Sequence, residues 1–200
     1  MIKRILSSAA LTLSVCLSAV AEPSRIDKAT TLLPPKPEVV PEDVVEIEVI
    51  PFPNCSNCSE AELKTLIFFQ LSGIKDKNAL AMIMGSIKQE SRFQPAVCEG
   101  GFITSWQGCT RGGFGLIQFT SAHRYYGLGD FARRTGQRPE SMKTQLEYIV
   151  TEREWKDAAR IFKQAGLPMS SYDYAGKIWL GYGIKGNRLF YAIDYAQRIA

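Results

Sequence analysis

Seven prolines and no glycine lie between Glu22 and Asn54, so a packed core has to come from the residues that follow. Proline fixes φ and removes a backbone donor, and Leu33-Pro34-Pro35-Lys36-Pro37 reads as a stiff extended run close to polyproline II. Val44 to Ile50 then alternates Val and Ile with acids, the pattern of a short strand or an extended arm. Charge divides at the same place: residues 22–54 carry a net −4 and residues 55–200 a net +6. The stretch 22–54 is therefore read as an acidic, Pro-rich linker and 55–200 as one folded domain. An apolar content of 46% excludes a mainly disordered chain, and 200 residues leave room for one domain with a tail.

The N-terminus sets the compartment. Lys3 and Arg4 precede an uncharged run from Ile5 to Val20, and Ala19-Val20-Ala21 puts small residues where a signal peptidase reads. Residues 1–21 are expected to be an export signal or signal anchor that touches the membrane transiently. The run is shorter than the roughly 20 residues a bilayer span needs, and five hydroxyl residues interrupt it. Cys16 follows Val15, which is bulky where a lipoprotein signal has a small residue, so no lipid is expected.

Past that segment four cysteines remain, an even number that suggests disulfides in an exported protein. Three connectivities are possible. The preferred one is local, Cys55–Cys58 with Cys98–Cys109, which closes two short loops. A Cys-x-x-Cys redox site would sit before a helix packed on a parallel sheet, and no such sheet is apparent. Zinc would need a second close Cys or His pair, and the chain has a single histidine, His123. Neither the redox nor the zinc reading is favoured.

From Ser59 onward the apolar spacing becomes helical. Ser59-x-x-Glu62 is a capping box ahead of Leu63, Leu66, Ile67 and Leu71, and Gly73 ends that helix. A second helix is predicted from about Asp76 to Ser91, with Leu80, Ile83, Met84 and Ile87 on one stripe. Residues 98–119 are glycine-rich and read as loop or small hairpin. Helical periodicity returns over 130–135 and 141–165, breaks at Gly166 and Pro168, and resumes over 171–182 and 187–199. The expected fold is mainly α, with a small irregular or β-hairpin insertion after the second helix.

Glu90 extends the apolar stripe of that helix and lies in its last turn. Partial burial and the negative end of the helix dipole both disfavour its ionised form, which is what a general acid requires. A solvated Glu at a fraying helix end is the plainer alternative. The next residues decide between them. Glu90-Ser91-Arg92-Phe93-Gln94-Pro95 resembles the Glu-Ser-x-Phe-x-Pro signature of lysozyme-like transglycosylases. Gly115-Leu116-Ile117-Gln118 is similar to the Gly-Leu-x-Gln segment of the same superfamily, and Ala81-Met82-Ile83-Met84-Gly85-Ser86-Ile87 resembles the helix leading into Glu-Ser in phage tail lysozymes. Phe119-Thr120, Arg124-Tyr125 and Thr144-Gln145-Leu146-Glu147-Tyr148 follow that family's order, so the resemblance spans about residues 60–200.

The resemblance implies a lysozyme-like fold and cleavage of the β-1,4 bond between N-acetylmuramic acid and N-acetylglucosamine in peptidoglycan, with Glu90 as the acid that protonates the glycosidic oxygen. Gly115, Leu116 and Gln118 would wall the sugar groove, Thr120 would add a hydroxyl, and Ser91 would bond Glu90 or substrate. Glu99, beside the Gly100-Gly101 turn, is the nearest candidate for a second carboxylate. Without one, the sugar's own 6-hydroxyl replaces water and the enzyme is a lytic transglycosylase. Tyr182 loosely matches a substrate-contacting tyrosine of a late transglycosylase motif. Trp106, Trp155 and Trp179 are candidates to stack on sugars, although Trp155 and Trp179 lie in helical patterns and read as core; Asp130 reads as a helix cap and His123 as surface. The resemblance implies no metal and no organic cofactor. Peptidoglycan strands are the expected partner, with a virion or envelope assembly reached through the 22–54 tail. The basic domain suits an anionic wall, while no motif for nucleic acid accompanies its charge. A non-catalytic wall-binding or virion module with this fold is the rival of a different class.

Overall fold

The computed structural model describes residues 54–200; the expected export signal at 1–21 and the expected linker, apart from Asn54, lie outside the described residues. Among the described residues seven helices follow one another: α1 (Glu60–Leu71), α2 (Lys77–Ser91), α3 (Ala122–Thr135), α4 (Met142–Ile149), α5 (Arg153–Phe162), α6 (Met169–Leu180) and α7 (Arg188–Arg198). Between α2 and α3, isolated antiparallel bridges join Val97 to Ile103, Cys98 to Phe114 and Phe114 to Phe119. The domain is mainly α, and the glycine-rich segment after α2 is irregular with short β pairing, in keeping with the sequence.

The capping box read from the sequence operates as expected. Ser59 accepts from the Glu62 N–H, and the Glu62 carboxylate accepts from the Ser59 N–H at 2.7 Å, which satisfies two orphan donors of α1. Asp76 caps α2 by accepting from the N–H groups of Asn78 at 2.8 Å and Ala79 at 3.1 Å. Its other oxygen accepts from Gly166 at 2.7 Å, so one side chain fixes the start of α2 and the turn before α6. Burial works against the charge of Asp76, but the N–H donors of Gly166, Ala79 and Asn78 outweigh it and hold the carboxyl below its usual range.

α2 is the axis of the domain. Every residue from Ala79 to Ile87 is buried, so the single apolar stripe expected of it is in fact a helix covered all round. Small residues make that possible. A Cβ on Gly85 would lie 2.6 Å from the Ala192 nitrogen and 2.7 Å from the Arg188 oxygen, so α7 packs backbone to backbone on α2 at this glycine. Elsewhere in the same core Phe69, Trp155, Phe162, Tyr172 and Trp179 pack on one another, with Phe69 and Trp155 ring centroids 4.8 Å apart. Trp155 and Trp179 are core, whereas Leu71 is 66% exposed and Phe69 takes the inward place on α1. Gly85→Ala is expected to wedge α2 from α7 and cost about 1–3 kcal/mol, the range for overpacked cores, despite alanine's better helix propensity. Urea unfolding of the two proteins reads this directly.

Three boundaries differ from expectation. α3 starts at Ala122, well before residue 130, because Gly127 and Gly129 interrupt the periodicity. Those glycines are contact sites: a Cβ on Gly127 would meet the Tyr148 hydroxyl, and one on Gly129 the Trp106 ring. Asp130 is inside α3, paired with Arg133 at 2.9 Å, and the N-cap is Ser121. The run 141–165 is broken at Val150–Glu152 by a turn, Thr151 N–H to Tyr148 O at 2.9 Å. That turn buries Glu152, which receives Arg124 Nε at 2.7 Å and Nη2 at 2.6 Å.

The described segment is closed by its own ends. The Ser56 N–H donates to Arg198 O at 3.0 Å and the Ala200 N–H to Asn54 O at 2.8 Å. Cys55 is bonded to Cys58 and Cys98 to Cys109, the local connectivity. Among the described residues no helix is long and apolar enough to cross a membrane.

Candidate active site

The C-terminal end of α2 opens into a cleft of about 680 Å³, lined among others by Glu90, Ser91, Arg92, Glu99, Gln118 and Thr120. The chain turns sharply to make it. Arg92 and Phe93 both have left-handed backbones, φ 52° and 63°, and Gln118 on the facing loop has φ 51°. Left-handed non-glycine residues are uncommon, and three of them around one cleft mark a place where tertiary structure overrides local preference.

Ser91 is a structural tie. Its hydroxyl donates to Leu116 O at 2.8 Å and contacts Ile87 O at 3.3 Å, which anchors the end of α2 to the Gly-Leu-x-Gln loop. That loop is held from behind by Gln145 of α4, fully buried: its Oε1 accepts from the Leu116 N–H at 2.7 Å, and its Nε2 donates to Pro95 O at 2.6 Å and Pro139 O at 2.8 Å. Gly115 has φ 76°, and a Cβ there would strike the Gln145 amide. Gly115 and Leu116 are thus buried behind the cleft, while Gly113, Gln118 and Thr120 line it. The Gln118 amide N–H group donates to Gly115 O at 3.1 Å, and Thr120 Oγ1 donates to Gln118 O at 2.7 Å.

Glu90 is joined by a cation that sequence reading missed. Arg188, at the start of α7, donates from Nη2 to Glu90 Oε1, and the two side chains are only 7% and 15% exposed. The guanidinium is fixed by Nη1 bonds to Lys185 O at 2.7 Å and Ile184 O at 2.8 Å, and it lies 4.0 Å from the centroid of the Tyr182 ring. Tyr182 in turn donates to Asp173 Oδ1 at 3.0 Å, and Asp173 also pairs with Lys185 at 2.9 Å. Burial, then the hydrogen bond and charge of Asp173, push the Tyr182 hydroxyl far above its usual value, so it remains a donor. Tyr182 does not line the cleft; it is the floor beneath Arg188. The isolated-dipole picture of Glu90 lacked this partner. The link is long-range, and it depends on Gly85 letting α7 approach.

Glu99 lies at the same cleft, exposed, on the loop that the Cys98–Cys109 bond closes. Its Oε2 accepts from the Gly113 N–H at 3.2 Å, in space left by the missing side chain of Gly112. Glu90 and Glu99 are the two carboxylates among the cleft residues. His123 is on the surface, 3.9 Å from Glu154 and away from the cleft lining.

A polar groove, a half-buried carboxylate at a helix end and a wall of glycine and amide groups suit a hydroxyl-rich, chain-like ligand. A family model described as phage tail lysozyme matches residues 60–199, from the first residue of α1 to the end of the domain. No curated protein and no solved structure matches the chain. With seven tenths of its length covered by that one match, the chain belongs to the phage tail lysozyme family.

Proposed function

We propose that this protein, whose family gives it a lysozyme-like function in degrading peptidoglycan, cuts the β-1,4 bond between N-acetylmuramic acid and N-acetylglucosamine with Glu90 as general acid. The observation that carries the reading is the placement of Glu90: it ends the buried axis helix, projects into the cleft and is held by Arg188 through one oxygen only. Because Arg188 donates to Oε1, the proton to be given to the glycosidic oxygen would sit on Oε2. Glu90 thereby has a fixed orientation, with Oε2 left free of the guanidinium. A sugar in the cleft excludes water, and the cation forming on the ring then faces a carboxylate already in place.

Glu99 would serve as the second carboxylate, placing water on the ring cation. A second reading, a lytic transglycosylase, is favoured by one feature: Glu99 is exposed and latched to a backbone N–H at 3.2 Å, a poor base for positioning water. In that case Glu90 acts as acid and then as base towards the 6-hydroxyl. Mass spectrometry of muropeptides released from purified sacculi separates the two. Reducing-end muramic acid products are expected, and anhydro-muramic products would replace hydrolysis by the intramolecular route.

Export to the cell envelope or into a virion fits both disulfides and the substrate. The 22–54 linker would hold the catalytic domain away from an envelope or virion assembly.

A further inference from the structure

Thr120 stands on a ridge. One side of it is the Glu90 cleft, and the other is a second hollow of about 590 Å³. The Cys98–Cys109 bond belongs to the same ridge, since Cys98 lines the cleft and Cys109 lines the hollow. The two spaces are therefore neighbours along one surface, separated by a disulfide and a threonine.

The hollow is built differently from the cleft. Its wall is aromatic and rigid: the Trp106 and Tyr125 rings stack at 5.1 Å with 21° between planes, and the Trp106 indole N–H donates to Tyr125 O at 3.2 Å. The Tyr125 hydroxyl is bonded to Cys109 O at 3.0 Å, and the Trp106 N–H to Glu140 Oε1 at 2.6 Å. Against this wall Tyr126 stands edge-on, 5.5 Å from Tyr125 and 62% exposed. Thr110 and Arg111 complete the rim with a hydroxyl and a cation. Aromatic faces ringed by donors match a pyranose, which has an apolar C–H face and a belt of hydroxyl and acetamido groups.

We propose that the hollow is a second glycan-binding site, which takes sugar rings of the same strand beyond those at Glu90. The inference rests on the reading of the Glu90 cleft as a glycan site and adds length to it. One strand crossing Thr120 gains a second set of contacts held at fixed spacing, so affinity rises with chain length.

The test uses the full chain carrying Glu90→Gln, so that ligands are not cut, titrated with stem-free alternating oligomers from disaccharide to octasaccharide. Affinity should increase along the series, and Tyr126→Ala, at an exposed position, should lower octasaccharide affinity about tenfold while leaving the disaccharide unchanged. Persistence of the full length-dependent gain in Tyr126→Ala would overturn the site. A gain that appears only on strands bearing peptide stems would also overturn it, in favour of a peptide-binding hollow. Absence of binding by any oligomer, with or without Tyr126, would instead remove the glycan reading of the Glu90 cleft, and this inference with it.

Discussion

Glu90→Gln is expected to lower the rate of glycan cleavage by roughly 10²–10⁴-fold, the usual contribution of a positioned general acid. The amide has nearly the shape of the carboxylic acid, and its oxygen can still accept from Arg188 Nη2, so orientation and cleft are preserved. What is lost is the transferable proton and the charge that faces the ring cation. Arg188 keeps its bonds to Ile184 O and Lys185 O but loses its counter-charge, so the melting temperature should fall by less than in Arg124→Met, while binding of uncut oligomers should persist. This pairing of outcomes separates loss of chemistry from loss of fold. A variant inactive because it is unfolded would lose oligomer binding as well.

The largest effect on stability is expected at Arg124, far from any chemistry. Arg124 and Glu152 form a two-pronged pair at 2.7 and 2.6 Å, with side chains only 8% and 1% exposed. Arg124 also lies 5.6 Å from the centroid of the Phe119 ring, which links α3 to the loop leading out of the cleft. Removing one partner leaves the other charged and buried, at a cost of about 3–5 kcal/mol. Arg124→Met should therefore lower the melting temperature by about 10 °C, at roughly 2–4 °C per kcal/mol for a domain of this size. The double change Arg124→Met with Glu152→Leu should recover most of that loss, because neither charge is then stranded. Lys64 and Glu60 offer the contrast: they meet at 2.6 Å but are 64% and 82% exposed, and breaking a solvated pair of this kind changes little. Calorimetry on the three proteins decides the point. A single variant as stable as wild type would mean that the pair adds nothing.

Local signals in the sequence carried much of this. The capping box at Ser59 and Glu62, the span of α2 and both disulfides follow from interactions no more than about a dozen residues apart. The meeting of Glu90, Gln118 and Thr120 at one cleft was reached through motif order. What escaped was long-range. Arg188 is 98 positions from Glu90, and nothing local marks an arginine at a helix start as the partner of a carboxylate at another helix end. Gly85 looks like a weak point in a helix until α7 is laid against it, and Gly127 and Gly129 hid the first half of α3 for the same reason. Gly115 and Leu116 were assigned to the groove wall because their motif borders the site. In the fold the Leu116 N–H is held by Gln145, and Gln118 lines the cleft.

The central claim is that Glu90 performs the cut. Its most direct test is the release of soluble muropeptides from purified sacculi by the full, disulfide-bonded chain, beside Glu90→Gln at equal concentration and verified fold. Release by the wild-type chain that falls at least about a hundredfold in the variant is the predicted result. Equal release by both, or none by either from several wall types, would contradict it; the first would move the acid elsewhere and the second would leave a wall-binding module.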